Sequence, residues 1–232
     1  MTLKLFITGT DTDVGKTYVT KTLLKFYNEQ GYQTLGLKPI ASGAKMEKGK
    51  LYNDDALTLM KASSLQNVDY DTINPFVFKK PIAPHLAAQK EGIELTLDSV
   101  KKEIEKSFNT TKADVTLVEG VGGWAVPLNA NELMCDLVSA LRLPVILVVG
   151  IKLGCLNHAI LTTQTIQRSN IPLMGWVANC IAPNTHVIEE NIATLQQWIK
   201  APCLATIPFQ YPHKDTWTSS SFYKSGDLLN VF

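Results

Sequence analysis

The sequence predicts an α/β fold with a mostly parallel central sheet and helices on both faces. Apolar runs alternate with segments of helical spacing along most of the chain, which is typical of crossover units in a parallel sheet. The run PVILVVG at residues 144–150 is apolar throughout, and this indicates a strand buried on both faces. A Gly-Lys-Thr sequence lies between the first apolar run and the first helix, where a P-loop would lie. Together these observations predict a domain of the P-loop NTPase type.

The spacing of apolar residues predicts six strands and six helices. The first helix places Val19, Leu23 and Tyr27 on one side, and Gly31 ends it. The predicted strands are residues 3–8, 34–39, 115–119, 145–150, 173–179 and 204–207. The predicted helices are residues 16–30, 54–62, 97–108, 133–142, 156–168 and 187–200. We find no convincing domain boundary, so residues 1–232 are predicted to form a single domain.

Composition excludes several classes of protein. The chain has 22 basic and 21 acidic residues and a net charge of +1, which argues against nucleic acid or a membrane surface as the main partner. The cysteines are too scattered for a Cys-x-x-Cys metal site or a disulfide framework: Cys135, Cys155, Cys180 and Cys203. The N-terminal apolar run lacks the length and basic flank of a signal peptide, and no run approaches the ~18 residues of a membrane span. We therefore expect a soluble, cytoplasmic protein.

The segment TGTDTDVGKT, residues 8–17, resembles a P-loop with one residue too many. A regular P-loop has four residues between its first glycine and Gly-Lys, whereas five separate Gly9 from Gly15 here. Phosphate oxygens need backbone N–H groups and room, not a fixed distance to the first glycine. Lys16 would then reach the outer phosphates and the Thr17 hydroxyl would bind Mg²⁺. The alternative is a strand–helix turn that contains Gly-Lys-Thr by chance.

Polar residues follow two other predicted strands, where ligands of parallel sheets bind. Lys38 lies at the end of the second strand, either facing the phosphates or as a lysine at the rim of the sheet. Glu119 ends the third strand, where P-loop proteins hold a carboxylate for the metal. The glycines after it, at positions 120, 122 and 123, allow close approach of a ligand to the backbone.

Two predicted helix starts carry weaker signals. Asp54 and Asp55 open a helix, where acids are favourable in any protein, and one of them could also bind Mg²⁺. The loop before the helix at residues 156–168 contains Gly154, and its N–H groups could bind an anion such as a carboxylate. Lys152 either assists there or is merely exposed.

Seven segments in collinear order, from about Ile7 to Pro208, resemble dethiobiotin synthetase. They are TGTDTDVGKT, LKPIASG, NDDALTL, NPFVFKKPIAPHLAA, LVEGVGGWAVPL, LPVILVVGIKLGCLNHA and GWVAN. The P-loop of that family has the longer spacing seen here. The resemblance implies ATP-dependent ring closure of 7,8-diaminononanoate with CO₂ to dethiobiotin, giving ADP and phosphate. A carbamate and a carbamic-phosphoric anhydride would be the intermediates, and Mg²⁺ the cofactor.

The resemblance also implies site residues. Lys16 and Lys38 would be catalytic, and Thr17, Asp55 and Glu119 would bind the metal. The nucleotide would be bound by Asp13, Val14, Gly15, Lys16, Thr17, Asp55, Glu119, Gly120, Val121, Gly122, Asn179, Pro208, Phe209 and Gln210. The substrate would be bound by Ser42, Lys152, Leu153, Gly154 and Cys155.

The family is homodimeric, with the active site at the subunit interface. By resemblance, the loop at residues 152–157 would then serve the partner's P-loop site. No nucleic acid or membrane partner is implied.

Two other P-loop classes are less consistent with the sequence. Septum-positioning and partitioning ATPases carry a second lysine five residues before the Gly-Lys-Thr lysine, where this chain has Asp11. Cobyrinate-type amidotransferase synthetases usually carry a glutaminase domain, for which no room remains after residue 210. A nucleotide-binding module without activity would not explain Lys38 or the loop after residue 150.

Overall fold

The structure is a computed structural model that describes residues 2–182 and 187–209. Its strands are β1 (Leu3–Gly9), β2 (Thr34–Leu37), β3 (Ile40–Ser42), β4 (Lys45–Glu47), β5 (Lys50–Tyr52), β6 (Phe76–Phe78), β7 (Val115–Glu119), β8 (Val145–Ile151), β9 (Leu173–Cys180) and β10 (Cys203–Ile207). Its helices are α1 (Lys16–Glu29), α2 (Asp54–Ala62), α3 (Tyr70–Ile73), α4 (Pro84–Lys90), α5 (Leu97–Thr110), α6 (Met134–Leu141), α7 (Cys155–Arg168) and α8 (Ile188–Trp198). Within the described ranges, every helix is too short or too polar to cross a bilayer.

Six strands form a parallel sheet in the order β10-β9-β8-β1-β7-β2. β1 lies between β7 and β8; the connection from β1 runs toward β2 on one side, whereas the connection from its neighbour β8 runs toward β9 on the other side. The strand order therefore reverses at β1, which is where open α/β sheets bind their ligands. The predicted fold class is confirmed.

Side chains of the central strands alternate between two buried faces. Leu5 and Ile7 of β1 pack in one cluster with residues of α1 and α2. Phe6, between them in sequence, belongs to the opposite cluster, which includes residues of α5 and α6. Farther along the sheet, Leu147 and Trp176 pack with residues of α7 and α8. Because helices cover both faces, these strands need apolar residues at every position.

The predicted strand at residues 34–39 is two residues too long. β2 ends at Leu37, and the chain pairs again only from Ile40, in a separate two-stranded parallel sheet of β3 and β6. Pro39 has no N–H group to donate to the ladder, so the central sheet cannot continue through it.

The sequence prediction missed the short elements between β2 and α5. β4 and β5 form a hairpin whose two turn residues, Lys48 and Gly49, have φ values of 49° and 83°. Positive φ at both turn residues is typical of a type I′ turn, but Lys-Gly is not among its strong sequence signals. α3 and α4 have only four and seven residues, too few for helical periodicity to show.

Candidate active site

The loop between β1 and α1 is fixed by one buried apolar side chain. Val14 is fully buried, and a Cβ atom at Gly9 or at Gly150 would lie 2.6 or 2.8 Å from its side chain. Both positions therefore need glycine for Val14 to fit between them. Gly15 follows with φ 89°, in the left-handed region that glycine adopts without strain, and α1 begins directly after it.

β9 is tied to the same loop through Asn179. Its Nδ2 donates a 2.8 Å hydrogen bond to the carbonyl oxygen of Val14. A Cβ atom at Gly15 would collide with this side-chain amide, so Gly15 also makes room for it. One of the two N–H groups of Asn179 Nδ2 is used by the loop, and Oδ1 makes no hydrogen bond to the described residues, so it can accept one from a ligand.

Lys16 folds back against backbone carbonyl groups. Its Nζ donates to the oxygens of Asp11, at 3.0 Å, and of Gly122, at 2.5 Å. Burial, followed by the positive charge of Lys38, lowers the pKa of Lys16 to about 8. An anionic ligand near Nζ would favour the charged form.

Lys38 lies in a buried cluster of charges at the ends of β2 and β7. Its Nζ is 2.6 Å from Oε1 of Glu119, 3.5 Å from Oδ2 of Asp55 and 3.0 Å from the carbonyl oxygen of Gly120. Lys38 is 3% exposed and Glu119 is 1% exposed. Burial favours a lower pKa for Lys38, but the nearby carboxylates of Glu119 and Asp55 outweigh it and raise that pKa. Lys38 is therefore a cation at neutral pH.

The predicted metal ligands fit Mg²⁺ by chemistry. Thr17 donates from Oγ1 to Oε1 of Glu119 at 2.8 Å, and Asp55 approaches from the first turn of α2. Oε2 of Glu119 is buried and has no hydrogen-bond partner within the described residues, so it is available to a cation. The part of the chain that the structure describes contains no cluster of three or more His, Cys, Asp or Glu side chains that could hold a metal. Magnesium needs fewer protein ligands, because water and phosphate oxygens complete its shell.

A cavity of about 1160 Å³ opens over these groups. Its volume exceeds the usual range for one small ligand and leaves room for two substrates. It brings together most of the residues predicted for the site: Asp13, Gly15, Lys16, Thr17, Lys38, Ser42, Asp55, Glu119, Val121, Gly122, Asn179, Pro208 and Phe209.

Several predicted residues are not among those that line this cavity. Val14 is buried beneath the loop, and Gly120 contributes its carbonyl oxygen to Lys38 instead. The stretch 152–155 also lies outside the lining. Gln210 falls outside the described residues.

The stretch 152–155 has contacts of its own. Lys152 pairs with Asp11 at 3.2 Å, and Leu153 is 99% exposed. The N–H group of Cys155 already donates to the carbonyl oxygen of Lys152 at 3.0 Å, so it is not free for an anion in this conformation.

Sequence reasoning missed two features of the cavity. Asn53 lines it and caps α2, accepting from the N–H groups of Asp55 and Ala56 at 3.0 and 3.2 Å. An asparagine before two aspartates at a predicted helix start is an N-cap signal that could have found it. The segment 81–84, PIAP, forms an apolar wall, which no local pattern predicts.

The sequence matches known families over nearly its whole length. Residues 3–214 match the model of a family described as AAA domain. Proteins named ATP-dependent dethiobiotin synthetase BioD are 49% identical in Cellvibrio japonicus and 46% identical in Chromohalobacter salexigens. In both alignments, 88% of this chain and 88% of the relative are covered.

Solved structures with a similar fold are more distant in sequence. The septum site-determining protein MinD of Pyrococcus horikoshii, complexed with Mg-ADP, has a TM-score of 0.56 at 19% identity, covering 91% of this chain and 83% of that one. Cobyrinic acid a,c-diamide synthase of Mycobacterium smegmatis, with bound ADP and magnesium, has a TM-score of 0.58 at 15% identity, covering 99% and 94%. These two likenesses support the fold alone.

Proposed function

We propose a function from one premise: this chain belongs to the family of ATP-dependent dethiobiotin synthetases. The proposed reaction closes a ureido ring on 7,8-diaminononanoate with CO₂ and ATP, and yields dethiobiotin, ADP and phosphate. The observation that carries the proposal is the convergence of Lys16, Lys38 and Glu119 on one cavity at the carboxyl ends of β1, β2 and β7. Phosphoryl transfer depends on such positioning and charge neutralisation more than on covalent catalysis.

The nucleotide would bind over the β1–α1 loop. Backbone N–H groups of residues 13–17 and the N-terminus of α1 suit phosphate oxygens. Oδ1 of Asn179, which makes no hydrogen bond to the described residues, suits the exocyclic amino group of adenine, because it is an acceptor held in place by the bond from Nδ2 to Val14. Pro208 and Phe209 line the same end of the cavity and offer apolar surface to the base.

The metal would be held by Thr17, Asp55 and Glu119 together with phosphate oxygens. When bound, Mg²⁺ neutralises the β- and γ-phosphates and orients them. The buried Oε2 of Glu119, without a partner in the described residues, supports this assignment.

The diamine would bind beside the phosphates. Oγ of Ser42 is buried without a hydrogen-bond partner in the described residues and lies at the cavity wall, so it can bond a polar group of the substrate. The apolar wall at 81–84 suits an alkyl chain. We assign the stretch 152–155 to the carboxylate tail of a diamine bound to a second subunit, since it does not line its own chain's cavity.

The chemistry would begin with addition of one amine to CO₂, which gives a carbamate. A carbamate oxygen attacks the γ-phosphorus of ATP, and the bond to ADP breaks. The second amine attacks the carbonyl carbon of the resulting anhydride, and phosphate leaves as the ring closes. Two anions meet in the phosphoryl transfer, so the ammonium groups of Lys16 and Lys38 would lower the barrier by neutralising charge.

The test is a product assay with purified protein, diaminononanoate, bicarbonate, Mg²⁺ and ATP. We expect dethiobiotin, identified by mass, and ADP in equal amounts. Reactions without diamine or without bicarbonate should release little ADP. ADP release that does not depend on the diamine would instead indicate a nucleotide switch and would contradict the proposal.

A further inference from the structure

We propose that Tyr70 and Asn74 are positioning residues, which hold the Lys38 ammonium and the Asp55 carboxylate at a fixed separation. Neither residue lines the cavity, so neither would touch a substrate. The inference rests on the proposed function, because it concerns the two charged groups assigned there to phosphoryl transfer and the metal.

The backbone of Lys38 is held on both sides by the segment at and after α3. Its N–H group donates to the carbonyl oxygen of Ile73 at 2.9 Å. Its carbonyl oxygen accepts from Nδ2 of Asn74 at 2.6 Å. Asn74 is 1% exposed, so water cannot replace this contact. Lys38 lies just beyond the end of β2, where no strand pairing fixes it. The side-chain amide of Asn74 therefore fixes the backbone of Lys38 in place of strand pairing.

The hydroxyl of Tyr70 joins this contact to the start of α2. It donates to Oδ1 of Asn74 at 2.9 Å and accepts from the N–H group of Asn53 at 2.8 Å. The side chain of Asn53 caps α2 and so orients the first turn, which carries Asp55. The same side chain donates from Nδ2 to the carbonyl oxygen of Ser42 at 3.3 Å.

These contacts form a closed ring. It runs from the carbonyl oxygen of Lys38 through Asn74, Tyr70 and Asn53 to Asp55, whose carboxylate lies 3.5 Å from the Lys38 ammonium. Opening the ring at Tyr70 leaves a buried donor and a buried acceptor unpaired. The Lys38 ammonium and the Asp55 carboxylate could then shift relative to each other, although the same residues would still line the cavity.

The experiment compares Tyr70→Phe with the wild-type enzyme in the diamine-dependent assay. We expect kcat to fall about tenfold and the Mg²⁺ concentration for half-maximal turnover to rise about tenfold, as is typical when a residue behind a ligand is lost. The KM for ATP should stay within about twofold, because the phosphate loop is untouched. The matched control is Tyr52→Phe, since the Tyr52 ring packs 4.7 Å from that of Tyr70 and its hydroxyl is outside the ring of contacts. Asn74→Ala opens the ring at its next member and serves if Tyr70→Phe does not fold.

Three results would overturn the inference: kcat and Mg²⁺ dependence within twofold of wild type, equal losses in Tyr52→Phe, or a loss of kcat that matches a loss of ATP-binding sites. The last would mean only fewer folded molecules. Wild-type protein without diamine-dependent turnover would instead refute the proposed function, so the two failures are distinguishable.

Discussion

Two regions of the predicted site, both at the carboxyl ends of strands, differ in how far one chain completes them. Around Lys38 the ammonium group and the carboxylate of Glu119 are buried and bonded to each other, with Glu119 1% exposed, and the half-exposed Asp55 completes the group. In the stretch 152–155 after β8, Leu153 is 99% exposed. Within the described residues, Lys152 forms one ion pair, with the partly exposed carboxylate of Asp11. The comparison teaches that the end of a strand shows where a site lies. The burial of charged side chains and the ion pairs between them show which part of the site a single chain forms by itself.

Lys38→Ala should give the largest effect on the preassembled region. We expect kcat to fall about 10²–10³-fold, because the proposed site would lose the buried cation that is expected to neutralise the transferring phosphoryl group. Nucleotide affinity, measured by calorimetry, should change far less. Lys45→Ala is the matched control, since Lys45 forms an exposed ion pair with Asp54 at 2.7 Å. Near-normal turnover in Lys38→Ala would refute its role.

Glu119→Gln should act mainly on the metal. The amide keeps the shape of the side chain but loses its negative charge, so the Mg²⁺ concentration for half-maximal turnover should rise about tenfold or more. A Mg²⁺ titration of turnover measures this. Glu105→Gln, on the exposed side of α5, provides the control. An unchanged titration would count against Glu119 as a ligand.

Lys152→Ala should have a smaller effect, confined to the exposed region. Surface ion pairs contribute about 0–1 kcal/mol, so loss of the pair with Asp11 should hardly change folding or ATP affinity. If Lys152 serves the diamine carboxylate, the KM for diamine should rise about fivefold. Mixing this variant with Lys38→Ala would sharpen the comparison, since mixed dimers regain one intact site if the loop serves its partner. No regain of activity in the mixture would contradict the shared site.

Proton uptake at Lys16 should be the smallest signal. Burial lowers the pKa of free Lys16 to about 8, and bound phosphates raise it, so ATP binding at pH 8 should take up about half a proton. Affinity for ATP should accordingly fall as the pH rises above 8. Calorimetry in buffers of different ionisation enthalpy, at saturating Mg²⁺, measures the uptake. Equal heats in all buffers at pH 8 would contradict it, and at pH 6.5 little uptake is expected.

Much of the fold was predictable because its central strands are long apolar runs. β7 and β8 were found within one residue, and their ends indicated the correct edge of the sheet. The ring through Tyr70 and Asn74 was not predictable, since it depends on contacts between residues 17 and 36 positions apart. The separate sheet of β3 and β6 was missed for the same reason, although Pro39 gave a local reason to end β2.

Sequence and fold carried different information about function. The similar structures include a MinD protein and a cobyrinic acid a,c-diamide synthase, the two classes that the sequence disfavoured. They share the layout of strands around the loop, which many functions use. The position five residues before Lys16 separates this chain from the septum-positioning class, which carries a lysine there. This chain has Asp11 instead, and its carboxylate pairs with Lys152. Cytoplasmic location and the extent of the single domain stay predictions.

Val14 packs between Gly9 and Gly150, so the side-chain sizes that are tolerated at these three positions depend on one another. A methyl group gained at Gly9 would have to be offset by methyl groups lost at Val14, and one gained at Gly150 also by a change at Ile181, whose Cδ1 would lie 2.8 Å from it, so these positions should change together among descendants of this sequence. Engineering a new phosphate loop would therefore require simultaneous substitutions at these positions, with the backbones of β1 and β8 left unchanged.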